Sequence, residues 1–269
     1  MAKNVLVTGA SSGFGEALVT EFAKSGWNVA ATMRDPGKAP AGFSDLPNVL
    51  VRPLDVTDEA SINEAVIAVE SHFGPIDVLL NVAGNVVQGT LEELSLEQVR
   101  AQLETNVVGL VAVAKALLPG MRQRGSGHIV NFSSGGGLIG VPRLDAYVAS
   151  KFAVEGLSEA LSRDVAHLGL KVSIVEPGVF ATRLGDSAVQ PARPLDAYAP
   201  AAEQLPGLYD WTPGDLQGAA EAIVAIAGQP DAPLRLYVGH GLDDVRRHYQ
   251  DRLDGWAAYE HLTRRTLSS

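Results

Sequence analysis

A chain of 269 residues, 46% apolar and 19% charged, can bury a large core and is not a disordered polymer. Its formal charge of −10 argues against partnership with nucleic acid or an anionic membrane, since both polyanions would repel it. With no cysteine and six scattered histidines, it has no disulfide framework, thiolate nucleophile or metal-ligand pattern, so no metal is expected.

The first residues run straight into a strand without a signal-peptide pattern, and the apolar run 107–118 reads as too short to span a bilayer. A soluble cytoplasmic protein is expected. Residues 4–8 form a short β-branched strand that ends in Gly9, Ser11, Ser12, Gly13, Phe14 and Gly15, where a helical pattern begins. Strand, glycine turn and helix start make a phosphate cradle, because the N–H groups of a helix N-terminus point at an anion.

A second strand, 27–33, closes on Met33 and is followed by Arg34 and Asp35. In dinucleotide folds an acid near this point binds the adenosine ribose, whereas an arginine accommodates a 2′-phosphate. Arg34 is read as that guanidinium, which favours NADP(H); Asp35 is the competing sign and leaves NAD(H) open. After a third strand, 48–52, Asp55 and Val56 precede a helix capped by Thr57 or Asp58. Asp55 either meets the adenine amino group or caps that helix.

The fourth strand, 76–80, ends in Asn81, Val82, Ala83 and Gly84, and a long helix is expected from about 95 to 122. Within it Asn106 interrupts an apolar stretch, where an amide can distort the helical ladder and hold a water. The fifth strand, 127–132, ends in Ser134 and three glycines, and the next helix carries Tyr147 and Lys151 one turn apart on one face. A cation beside a phenol is expected to pull the tyrosine pKa down and make it a proton donor and acceptor near neutral pH.

The sixth strand, 171–175, runs into Pro177, Gly178 and Thr182. Strands alternating with helices predict an α/β fold: a doubly wound parallel sheet of the Rossmann type, in one domain spanning 1–269, with the chemistry at the strand ends. Residues 183–212 break the pattern with prolines and the aromatics Tyr198, Tyr209 and Trp211, and are read as a substrate lid offering apolar contact. A helix at 216–227, a strand at 234–238 and a surface or subunit-contact helix at 243–262 complete the chain.

Thr8-Gly9-x-x-x-Gly13-x-Gly15, Asp55, Asn81-x-Ala83-Gly84, Asn106, Ser134, Tyr147-x-x-x-Lys151, Pro177-Gly178 and Thr182 follow one another in a known order. In these residues the chain resembles the short-chain dehydrogenase/reductase family over nearly its whole length. The resemblance implies that Tyr147 is the acid/base and that Ser134 polarises the substrate oxygen. It gives Lys151 the nicotinamide ribose and the lowering of the tyrosine pKa. Asn106 would anchor a relay water and Thr182 would touch the nicotinamide carboxamide. Met33-Arg34 resembles the NADP-preferring branch, and 31–36 is loosely similar to members acting on hydroxysteroids and retinol-like alcohols. The family commonly has a second asparagine where this chain has Val82, and the basic residue some NADP-binding members carry before the middle glycine is Ser12 here.

The expected reaction is hydride transfer between NADP(H) and a small-molecule carbonyl or secondary alcohol with a bulky apolar body, by a homodimer or homotetramer. A non-catalytic dinucleotide-binding redox sensor is the alternative, and an epimerase or dehydratase would need a larger C-terminal substrate domain.

Overall fold

The computed structural model describes residues 2–203 and 205–267, so Gln204 of the expected lid lies outside the described residues. Seven strands form one parallel sheet: β1 Asn4–Val7, β2 Asn28–Met33, β3 Val49–Pro53, β4 Val78–Asn81, β5 Gly127–Phe132, β6 Leu170–Pro177 and β7 Arg235–Val238. Their order is β3-β2-β1-β4-β5-β6-β7, a doubly wound Rossmann-type sheet that reverses direction between β1 and β4.

Successive strand residues point to opposite faces, which sorts the core into two layers. Val5 and Val7 of β1 join α1 (Gly13–Lys24), whereas Leu6 joins α2 (Glu59–Phe73). With α3 at Leu96–Leu103, the long helix continues as α4, Gly109–Arg124, and packs beside α2 on the Leu6 face. On that face too lies the end of α5, Asp145–Ala166. Four short or late helices follow: α6 Arg183–Asp186, α7 Ala199–Glu203, α8 Leu205–Leu208 and α9 Leu216–Ile226. Ala219 and Ala220 of α9 are small enough to let it lie against α1 over the Val5 face. The chain closes with α10, Leu242–Ala258, and α11, Glu260–Arg264.

The structure decides three expectations. Between α3 and α4 the helix widens into a π-turn, Glu104–Val108, with buried Asn106 inside it. The run Leu96–Arg124 is one helical stretch of 29 residues, close to the 95–122 expected, but, unlike the apolar run 107–118 alone, it is long and apolar enough, by length and composition, to cross a membrane. Here it carries buried Gln102 and Asn106 and packs on α2, α5 and the sheet. Finally, α2 is capped by Asp58, whose carboxylate accepts the Ala60 N–H at 2.9 Å, and not by Thr57 or Asp55.

Candidate active site

The carboxyl ends of the strands surround a cavity of about 590 Å³. At its floor β1 gives way to the glycine turn. Gly9 takes φ +69°, and a Cβ there would stand 2.8 Å from the Ala83 backbone. A Cβ on Gly15 would meet the Gly9 carbonyl oxygen at 2.2 Å, so that glycine lets α1 start against the turn. Gly9, Ser11, Ser12, Gly13 and Phe14 line the cavity; Gly15 lies behind them. Thr8 braces the turn, its hydroxyl accepting the N–H groups of Val82 at 3.0 Å and Ala83 at 3.1 Å. That bond to backbone explains how the loop stands without a second asparagine. Val82 lines the cavity and packs into the same apolar layer as Phe14 and Phe180.

At one end of the cavity stand Met33, Arg34, Asp55 and Val56. Met33 is buried, Arg34 is exposed, and Asp35 lies outside the lining. The Asp35 carboxylate accepts the Gly37 N–H at 3.0 Å and pairs with Lys38 at 3.9 Å. Asp55 accepts both the N–H and the hydroxyl of Thr57, at 2.9 and 2.8 Å. The Thr57 N–H is the main cause holding its carboxyl below the usual range; the Arg34 charge adds a smaller pull.

At the other end, β5 and α5 bring Ser134, Tyr147 and Lys151 together, with Ala83, Gly84, Pro177, Gly178 and Thr182 facing them across the cavity. Ser134 accepts the Gly136 N–H at 3.1 Å and stands close enough to Tyr147 to draw its phenol downward. Lys151 donates to the Phe132 carbonyl at 2.8 Å and sits 5.8 Å from the centre of the Tyr147 ring. The expected lowering of the tyrosine is reversed. Burial pushes the Tyr147 phenol up, the Ser134 hydrogen bond opposes it, and Lys151 is itself pulled down to about 8 by burial. Both effects come from the low dielectric that encloses the pair.

Asn81 and Asn106 are not in the lining. The pleat turns Asn81 to the α4 side, where its amide donates to the Asn131 side chain at 2.9 Å and the Leu110 carbonyl at 3.4 Å. Asn106 holds the loop after Gly84: it accepts the Asn85 N–H and donates to the Asn85 carbonyl, both at 3.0 Å. Its amide also reaches Ser150, whose hydroxyl donates to the Tyr147 carbonyl at 2.7 Å. Gln102, which sequence reading missed, seizes the same loop through the Val87 N–H at 2.7 Å and the Asn85 carbonyl at 2.8 Å. A glutamine on a helix carries no signal of its own in the sequence; only the packing of α3 against the loop gives it these partners.

Phe132 and Phe180 were also missed; each meets Phe14 edge-on, at 5.5 and 4.7 Å, and all three line the cavity. Beyond them Arg183, Leu184, Gly185 and Ser187 form one wall. The aromatics expected over the pocket lie elsewhere. Tyr198 donates to Glu92 at 2.6 Å, while Tyr209 is buried against Leu138, Ile139 and Val245 with Trp211 edge-on at 5.6 Å. Chain ordering between 188 and 198 fastens to the loop after Gly84 through Val189 and Val87.

The family model of the short chain dehydrogenases matches residues 3–192. The chain belongs to the short-chain dehydrogenase family. It is a nicotinamide-dependent dehydrogenase/reductase by that membership. It is 36% identical over 248 residues to the oxidoreductase BOA17 of Botryotinia fuckeliana, covering 89% of each chain. It is 34% identical over 255 residues to retinol dehydrogenase 8 of Bos taurus, covering 87% of this chain and 80% of that one. Among solved structures, a short-chain dehydrogenase from Streptomyces avermitilis superposes with a TM-score of 0.89 at 36% identity, over 100% of this chain and 99% of that one. Solved structures holding either cofactor resemble it. One, from Burkholderia phymatum in complex with NAD, has a TM-score of 0.81 at 27% identity over 94% and 95% of the chains. Another, ElxO with NADP bound, has 0.75 at 29% over 88% and 97%.

Proposed function

We propose that this dehydrogenase reduces carbonyl groups on bulky apolar molecules, and oxidises the corresponding secondary alcohols, with NADP(H) as cofactor and Tyr147 as the acid/base. The observation that carries the reading is the convergence of Ser134, Tyr147 and Lys151 on the cavity whose far end holds the glycine turn and Arg34.

The residues present fit a dinucleotide. The turn at Gly9 and Gly13 keeps its backbone open, since a Cβ on Gly13 would reach to 3.2 Å from Thr182 on the far wall. Ser11, Ser12 and Phe14, at the start of α1, would hold the phosphates, and Thr182 and Gly178 the nicotinamide end. Asp55 and Val56 would hold the adenine. When bound, the nicotinamide supplies or accepts the hydride.

The protein then has one proton to manage. Burial keeps Tyr147 protonated at neutral pH, the form that gives a proton to the substrate oxygen in reduction. Ser134 holds that oxygen, and the Lys151 ammonium supplies positive charge beside the phenol. In oxidation Tyr147 takes the hydroxyl proton.

Support for NADP comes from three neighbours in sequence. Met33 offers no carboxylate to a ribose, Arg34 lines the cavity, and Asp35 is tied into its own turn. Similarity to retinol dehydrogenase 8 and the phenylalanine cluster support an apolar substrate body, with 183–212 as its lid. The same reading keeps a homodimer or homotetramer in the cytoplasm, which light scattering and cell fractionation test.

Fluorescence titration with NADPH and NADH tests the cofactor. Tighter NADPH binding is expected, and Arg34→Ala should weaken it about tenfold or more while sparing NADH. Tighter NADH binding by the wild type would overturn the NADP assignment.

A further inference from the structure

Lys151 stands where burial opposes its charge, and the groups around it decide which form it takes at neutral pH. On α5, Tyr147 and Glu155 lie one turn before and one turn after it, and all three are buried. From β5 and the π-turn it meets neutral groups: the Phe132 carbonyl, Ser134 beyond it, and the Asn106 amide, which shares with Nζ the space over Gly84. Charge from the remaining elements arrives through Glu155.

Glu155 Oε2 is paired with Arg235 of β7. The same guanidinium also holds Glu176 of β6 at 2.9 Å and Glu159, one turn further along α5, at 2.8 Å. Three carboxylates share Arg235, Glu159 pairing also with Arg163 at 2.7 Å, and Glu155 and Glu176 are buried. The surplus is negative. Glu176 responds by rising, chiefly from burial and partly from the Glu155 charge. Glu155 Oε1 is buried and has no hydrogen-bond partner among the described residues. A carboxylate oxygen in that position costs free energy unless a charge nearby compensates it. The compensating charge on its own helix face is the Lys151 ammonium, which Glu155 pulls upward against burial.

We propose that Glu155 is a positioning residue for this site: braced by Arg235, its buried carboxylate is the counter-charge that keeps Lys151 an ammonium ion. Its consequence for turnover rests on the function proposed above; the charge state of Lys151 does not. Neutral Lys151 would leave Tyr147 without a cation and reduce the positive charge offered to a bound ribose.

The test is the titration of Lys151 in full-length protein labelled with 13C-lysine, followed by NMR without cofactor, with Lys151→Arg identifying the resonance. The wild-type midpoint is expected near the value of about 8 set by burial and Glu155. In Glu155→Gln it should fall by about one unit, raising the free-amine fraction near neutral pH several-fold, and Glu155→Asp should restore most of it. An unchanged midpoint in folded Glu155→Gln overturns the proposal even if turnover drops, because a merely structural role lowers activity without moving Lys151. Should that variant not fold, the wild type alone decides: a midpoint below about 7 means Lys151 is not held as an ammonium ion. Failure to bind NADPH would sink the function proposed above and leave this titration standing.

Discussion

Lys151 donates an ammonium N–H to the carbonyl of Phe132 at 2.8 Å, which ties α5 to the last residue of β5. Ser134 stands two residues past that anchor and Tyr147 one helical turn before it. That hydrogen bond helps to set the distance between strand end and helix on which proton transfer depends.

Tyr147→Phe removes only the hydroxyl from this arrangement. Turnover with any accepted carbonyl should fall by at least about 10²-fold, with NADPH affinity close to wild type. Steady-state kinetics and a fluorescence titration on the same preparation check this. Substantial residual turnover would remove Tyr147 from the acid/base role.

Gly15→Ala should damage both fold and cofactor binding. The added Cβ would stand 2.2 Å from the Gly9 carbonyl, a backbone atom that cannot swing aside. Either α1 or the turn must move, at a cost of about 1–3 kcal/mol. A thermal scan and an NADPH titration should both register the loss; a stable variant that binds normally would contradict the packing described here.

Acid should unfold the protein partly through His128. This ring is buried in β5, where it accepts the Gly228 N–H at 3.1 Å and reaches Ser173 at 2.9 Å. Burial, and secondarily the Lys171 charge, pull it down to about 4 from 6.5. A depressed folded pKa means the unfolded chain binds the proton first as pH falls. The stabilisation is thus fully present above about 6.5 and lost between there and about 4, amounting to about 3 kcal/mol at most. Urea unfolding of wild type and His128→Gln across that window measures it: the variant should lose less stability on acidification. Parallel losses would exclude His128.

Glu93 pins the stretch of chain that follows the pocket wall. One oxygen accepts the Thr90 N–H at 2.9 Å and the other the Leu195 N–H at 3.0 Å, while its carbonyl takes the Arg193 N–H at 3.1 Å. Glu93→Ala should speed amide exchange at Leu195 and protease cleavage within 188–198, leaving the sheet amides unchanged. Mass-spectrometric exchange separates the two regions, and equal protection at Leu195 would show that residues 188–198 are held by other contacts.

Much of this protein is legible in its chain because the signals are local. Strand after strand ends in glycine where backbone must turn or be approached, and Tyr147 and Lys151 share a face through helical geometry alone. Those features were enough to place a doubly wound sheet and to name many, though not all, of the residues that the cavity gathers. Orientation was decided elsewhere. Asn81 and Asn106 carry the right side chains, yet strand pleat and π-turn direct both into supporting hydrogen bonds behind the lining. Tyr209 has the composition of a lid residue but finds its partners under the loop at Leu138. The clearest divergence is Tyr147: spacing places a cation beside a phenol and predicts a lowered pKa, whereas the closed fold strips water from both groups and moves each toward its neutral form. Residue spacing determines who is near whom along a helix; the dielectric around them exists only once the sheet, the helices and the loop after β4 have closed over the pair.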